Sequence, residues 1–477
     1  LVESIVGIWT DLDVFELRIP GRVLSALADT GTVIAVMSLG TLLYSRKVGL
    51  LASALLAVTL IHVQISHFFT VDSLLVFFVL MSLLFMARLM KNGRLSDSAF
   101  TGLFLGLALA SKASAMALLL PLVIAHLIPI CLSGKKITSI TDISMKEVRK
   151  AIPGLVMDGV ITLGISVLIW IFMESAYSSI PRSNALPGKG ILTLTIAGFL
   201  FTSMATAHIL HALSSHGNSN LIRTIFPRPI IGMTIAIATM AVFFFIAMPY
   251  AFLDWKTYLG DVGEQWLMSQ RILDYPYTRQ YEGTAPYLYY IQQLGVWGLG
   301  LPLGLVAIGG LILSGWMALK KRHSGDILLL FWVVPVFILV GGQEVKFLRY
   351  LLPITPILVL LGARFLFFLK DMSLLRRYPR PSWITGLITV IFGISALYVI
   401  SYDRIYAKPH PATEASEWLR EHVVPEGSLL LKEHWEEGIP NLHMHRIEEL
   451  PMYDPDTVYK MEILASALYR ADYLLFY

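Results

Sequence analysis

The sequence predicts an all-α polytopic membrane protein with a small α/β domain at its C-terminal end. Three observations lead there. The chain of 477 residues is 56% hydrophobic and only 15% charged, with a mean hydropathy of +0.68, where soluble chains average about a quarter charged. Its apolar runs are punctuated by basic loops on alternate sides. Only the last stretch, from Tyr402, has the composition of a soluble domain.

Twelve spans follow from the apolar runs: Leu27–Tyr44, Leu50–Ile65, Leu74–Leu89, Phe100–Ser111, Ser114–Cys131, Ile152–Phe172, Ile191–Leu213, Ile230–Met248, Leu294–Ala318, Ile327–Val340, Leu351–Leu369 and Ile384–Ile400. Lys and Arg mark cytoplasmic loops. One set of alternate loops carries 19 of them and the other carries 8, so the topology is consistent throughout. Residues 1–28 read as the end of a first extracytoplasmic loop, 29–401 as the membrane domain with an outer loop at 249–293, and 402–477 as an incomplete outward-facing tail. In the tail, Ala412 to His422 is helical in pattern, Ser428 to Leu431 reads as a strand, and Ala471 to Tyr477 reads as a strand stopped midway.

The stretch Phe100 to Cys131 is too long for one crossing. Its 32 residues would make a helix of ~48 Å against a ~30 Å hydrocarbon core, and basic loops lie on both sides. It must go out and return, with Ser111-Lys112 near the turn. Lys112 is then an ammonium at or below the outer surface, and an ionisable group at that depth is a functional-site candidate.

The outer connections gather further polar groups. Asp72 begins a membrane helix after Ser66-His67-Phe68-Phe69-Thr70-Val71. A carboxylate there can cap free N–H groups, or orient a substrate or metal. His67 and His62 lack spaced partners and read as packing or interfacial residues. Lys346 and Arg349 are three apart, and on a helical turn would share a face suited to phosphate; snorkelling is the alternative. The loop Asp274 to Tyr287, with Arg279-Gln280-Tyr281 among tyrosines, suits an interfacial belt, sugar stacking or a lid. Arg22 stands just before the first span, free to snorkel or to reach an anion.

Other classes lose ground. No basic block is long or interleaved with aromatics, so no nucleic acid is expected. One cysteine, Cys131, leaves no internal disulfide and no multi-cysteine metal site. A transporter would show repeat symmetry or broken helices around a midplane site, and neither is legible.

Taken together, these segments resemble the GT-C glycosyltransferases of the protein O-mannosyltransferase and aminoarabinose-transferase type, in a bacterial-like form. The resemblance rests on Arg22 with Ser25-Ala26-Leu27; Ser66-His67 then Asp72; Gly106 to Ser111-Lys112; Pro249-Tyr250; Pro276-Tyr277-Thr278-Arg279-Gln280-Tyr281 with Gly283-Thr284 and Pro286-Tyr287; and Lys346 with Arg349-Tyr350 and Pro353. In the tail, Ala415-Ser416-Glu417-Trp418 and Glu433-His434-Trp435 add to it.

The resemblance implies a multi-pass cell-membrane enzyme of thirteen spans in full length. It would move a hexose, mannose-like, from a polyprenyl-phosphate donor to a lipid, glycan or protein hydroxyl on the extracytoplasmic face. By it, Arg22, Lys112, Lys346 and Arg349 contact donor phosphate, and Arg279, Gln280 and Tyr281 contact substrate. Asp72 looks like the family's second outer acid. The principal acid is expected before residue 1, since Asp11 and Asp13 stand too close to the next span. No metal ligands are assigned, and a divalent cation is the one cofactor left open. An oligosaccharide ligase or a lipid-carrier flippase would share the basic pocket.

Overall fold

The structure, a computed structural model, describes residues 18–132, 164, 227–371, 382–423, 428–433 and 446–475. The chain divides into two units, residues 1–399 and 400–477.

The first unit is a helical bundle. Its order is α1 Arg18–Leu43, α2 Arg46–Ala57, α3 Leu60–Ser66, α4 Val71–Asn92, α5 Leu95–Ser111, a 3-10 turn Ala113–Leu118, α6 Leu119–Leu132, α7 Pro227–Ala247 and α8 Trp255–Ser269. A 3-10 turn Pro276–Tyr281 leads to α9 Leu288–Gln293, a π turn Leu294–Gly298 and α10 Leu301–Lys321. Then come α11 Ser324–Gly341, a 3-10 turn Leu348–Ile354, α12 Thr355–Asp371 and α13 Ser382–Asp403.

Among the described residues, seven helices are long and apolar enough to cross a membrane, or eight when α2 and α3, bent by 58°, are one span. Two of the expected spans, Ile152–Phe172 and Ile191–Leu213, lie outside the described residues apart from Gly164. Leu50–Ile65, expected as one continuous span, is broken at Val58-Thr59, and Leu294–Ala318 opens on a π turn before its helix begins at Leu301. The stretch from Phe100 breaks at Lys112 into two short apolar arms. The helix expected from Leu27 is already formed at Arg18, the first residue described.

Small residues bring the helices together, as membrane packing requires where burial of apolar surface gives no net drive. On α5, a Cβ at Gly102 would stand 2.1 Å from the Ala236 carbonyl oxygen of α7, and one at Gly106 would stand 2.4 Å from that of Met240. On α10, a Cβ at Gly310 would meet the Leu361 backbone of α12 at 2.3 Å. We expect Gly102→Leu to cost ~1–3 kcal/mol or more through overpacking, and the Gly102→Leu/Gly106→Val pair to yield no monodisperse protein on size exclusion. Gly315→Ala, whose Cβ meets nothing within 4 Å, should behave as wild type.

The second unit contains α14 Pro411–His422, β1 Leu429–Glu433, β2 Arg446–Leu450, α15 Val458–Arg470 and β3 Tyr473–Leu475. The strands are all parallel, in the order β2-β1-β3. The central strand is apolar on both faces, as a covered parallel strand must be. Leu430 packs with Leu419 and Val423, while Leu429 and Leu431 pack with Leu450 and Ala467 on the other face.

Candidate active site

Lys112 interrupts the α5 helix with an extended backbone (φ −161°, ψ 131°). The break turns its ammonium toward the start of α4, where Nζ lies 2.9 Å from Asp72 Oδ1. The same nitrogen stands 4.7 Å from the centre of the Tyr350 ring. Asp72 is only 3% exposed, and the preceding Thr70 makes no side-chain cap. The Asp72 carboxylate is thus engaged by a side chain from another helix, beyond any effect at its own helix start. A buried carboxylate needs such a partner, and the ammonium gains a second one in the aromatic face.

Tyr350 belongs to the 3-10 turn Leu348–Ile354, which packs on α3, α4 and α11. Arg349 beside it is exposed and stacks over Phe347 at 5.2 Å. Lys346 differs: it is 1% exposed and donates to the Glu344 carbonyl at 3.0 Å. Burial pulls its ammonium below the usual lysine range. Lys346 precedes the turn, so the two cations do not share a helical face as the spacing predicts. The reason is local. Glu344 and Val345 both donate N–H groups to Ser269 O at 3.1 Å, which pins this loop to the end of α8 in a non-helical form.

The aromatic loop is docked on the same segment. Phe347 receives Tyr281 at 5.3 Å and Tyr277 at 6.1 Å between ring centres. Tyr281 is buried, and that burial pushes its hydroxyl up to about 12. Tyr275 reaches about 12 as well, first through its hydrogen bond to Glu264. Arg279 and Gln280 stay exposed. The former pairs with Asp274 at 3.0 Å and the latter donates to Tyr277 O at 2.7 Å. Arg22 is also exposed, and it lies inside α1 rather than ahead of it. Its neighbour Gly21 abuts the Phe69 ring of the loop that leads to Asp72.

The structure therefore brings Asp72, Lys112 and Tyr350 into direct contact, with Arg349 next in the chain. Arg279 and Gln280 are held by their own loop. Sequence reasoning missed Asp29, whose Oδ1 lies 2.7 Å from His62 Nδ1. An acid inside an apolar run was the available signal. Among the described residues no group of three or more His, Cys, Asp or Glu could hold a metal ion.

Residues 8–141 match the family model of dolichyl-phosphate-mannose-protein mannosyltransferases. That segment holds Arg22, Asp72 and Lys112 and makes up less than a third of the chain. No curated protein matches the sequence. Similar solved structures include the archaeal oligosaccharyltransferase AglB from Archaeoglobus fulgidus in complex with an inhibitory peptide and a dolichol-phosphate, at 15% identity and a TM-score of 0.48, covering 90% of this chain and 53% of that one. The oligosaccharyltransferase of the same organism tethered with an acceptor peptide gives 14% and 0.49, covering 95% and 57%. ArnT from Cupriavidus metallidurans in the apo state gives 12% and 0.39, covering 94% and 74%. The chain spans about half the length of the archaeal enzymes.

Proposed function

We propose that this protein transfers one sugar from a polyprenyl-phosphate donor to a hydroxyl acceptor at the extracytoplasmic side of the membrane. The observation that carries the reading is the Lys112–Asp72 pair, at the break of one membrane helix and the start of another, with Tyr350 beneath the ammonium. The family matched over residues 8–141 is described by a dolichyl-phosphate sugar and a protein acceptor, which supports the donor class.

The chemistry asks little covalent work of the protein. As the bond from the anomeric carbon to phosphate breaks, negative charge grows on the leaving phosphate, and a cation already in place stabilises it. Lys112 supplies that cation from a partly exposed position, its side chain 30% accessible. Arg349, exposed one residue from Tyr350, offers a bidentate second contact. When phosphate engages Lys112, Asp72 exchanges its ammonium partner for the incoming hydroxyl and orients it toward the sugar.

The test uses the full-length protein in liposomes with a panel of radiolabelled polyprenyl-phosphate sugars and a membrane extract as acceptor source. We expect one labelled monosaccharide to move per acceptor, and Asp72→Asn to abolish most of the transfer while eluting as wild type. Consumption of nucleotide sugars with every lipid donor left intact would overturn the donor class. Transfer of a preassembled oligosaccharide would make the enzyme a ligase.

A further inference from the structure

Two basic turns meet at the end of the bundle that the charge bias of the loops makes cytoplasmic. One joins α1 to α2 and is followed by Arg46 and Lys47. The other joins α10 to α11 and is formed around Lys320, Lys321 and Arg322. The Tyr44 ring stacks on the His323 ring, with centres 5.6 Å apart and planes at 18°, which sets the turns side by side. The Tyr44 hydroxyl donates to Asp326 Oδ1 at 2.8 Å, and a Cβ at Gly325 would stand 3.2 Å from the Leu43 side chain. Neither turn has slack. The Tyr44 and Ser45 N–H groups both reach Gly40 O, and the His323 N–H reaches Met317 O.

All five cations are exposed, and none has an ion-pair partner among the described residues. The one acid beside them, Asp326, is fully buried and already paired with Arg364. Orientation in a membrane requires basic loops, but not unpaired ones. At the α4–α5 turn, expected on the same side, Arg88 is paired with Asp97 at 3.2 Å. The patch also adjoins a lipid-facing surface. Along α10, Leu305, Ile308, Ile312, Trp316 and Leu319 are exposed at helical spacing, and the stripe ends at Lys320. Trp favours the membrane–water boundary, and Lys321 Nζ lies 5.9 Å from the centre of the Trp316 ring. The cations therefore stand at headgroup depth, over a surface suited to an acyl chain.

We infer that these paired turns bind the phosphate of an anionic phospholipid in the cytoplasmic leaflet, with an acyl chain along the α10 stripe. Arg46 and Arg322 offer bidentate contacts to its oxygens, and the lysines act as point charges around them. The match is one of charge and depth. A zwitterionic headgroup brings its own ammonium to the patch and gains little there. Each Lys or Arg at the surface is worth ~5-fold in binding to an anionic one. Tyr44 and His323 rest on the Asp326–Arg364 cluster. A headgroup held above them ties the α1–α2 and α10–α11 turns together from outside, as the cluster does from within.

The experiment is native mass spectrometry of the full-length protein released from micelles that hold equal amounts of phosphatidylglycerol and phosphatidylcholine with the same acyl chains. No sugar donor is present, so the outcome is independent of the transfer reaction. Wild type should retain phosphatidylglycerol over phosphatidylcholine by ~10-fold or more. Lys47→Gln/Arg322→Gln should lose at least ~5-fold of that preference. Lys91→Gln/Arg94→Gln removes the same two charges from the α4–α5 turn and should keep it. Equal loss in both variants would reduce the effect to general surface charge and sink the proposal. So would a wild type without preference, or a preference that survives in Lys47→Gln/Arg322→Gln. Added inorganic phosphate should leave the lipid in place, because it has no acyl contact; displacement by it would overturn the assignment to a lipid. Should Lys47→Gln/Arg322→Gln not fold, salt decides on wild type alone. A preference unchanged between ~0.1 M and ~1 M salt rules out contact through these charges.

Discussion

Replacing Lys112 by Met will reduce sugar transfer by ~10²-fold or more at saturating donor, the scale of losing one preorganised contact to developing charge. The apolar stem is kept, so packing along the α5 break is preserved while the ammonium is removed. The change has a second consequence that can be separated from the first. Asp72, 3% exposed, loses its 2.9 Å partner, and an uncompensated buried carboxylate destabilises the bundle. The double variant Lys112→Met/Asp72→Asn should therefore recover the thermal stability lost by the single variant and none of its activity. If instead the double variant regains turnover, Lys112 serves only to neutralise Asp72. Normal turnover by the single variant would leave the ammonium with an interfacial role alone.

Replacing Asp326 by Leu will have the largest effect on stability. This carboxylate is 0% exposed and receives Tyr44 and Ser314 hydroxyls at 2.8 Å each, the Arg364 guanidinium, and His323 with its Nδ1 2.9 Å away. Those groups come from four places in the chain: the end of α1, α10, the start of α11, and α12. Arg364 also lies 4.2 Å over the Tyr44 ring. Removing the acid alone strands a buried guanidinium, at a cost of ~3–5 kcal/mol, whereas removing both members of a buried pair is often near neutral. Asp326→Leu should therefore lower the unfolding midpoint in detergent steeply, and Asp326→Leu/Arg364→Met should regain much of it. A single variant that loses less than ~1 kcal/mol would show that the cluster does not hold these helices together.

These two clusters differ in how far they could be read from the sequence. Lys112 was legible because an apolar run of 32 residues between basic loops cannot be one crossing, and the polar residue in its middle marks the turn. Asp72 was legible as a helix-start acid on the same side. What joined them was not, since the pairing depends on which helices pack, and periodicity is silent on that. Lys346 and Arg349 show the opposite failure. Their spacing suggests one helical face, but two N–H bonds to Ser269 O hold that loop open and bury Lys346. Tyr281 was read as a surface for a ligand, whereas Phe347 and Tyr289 already enclose it. Asp29 and Arg364 were passed over because each is a single charge inside an apolar run, and each finds its partner at long range in sequence.

The break at Lys112 also bears on how the molecule is made. Neither α5, 17 residues long, nor the arm beyond it that begins with a 3-10 turn is a full crossing by itself. A segment that short gains too little from the hydrocarbon to settle alone, above all with an ammonium at its tip. The two arms must therefore enter the bilayer as one hairpin, after α4 has delivered Asp72 to meet the charge. Insertion order and site assembly become the same event, so a nascent chain halted before α6 has emerged should hold neither arm stably in the membrane.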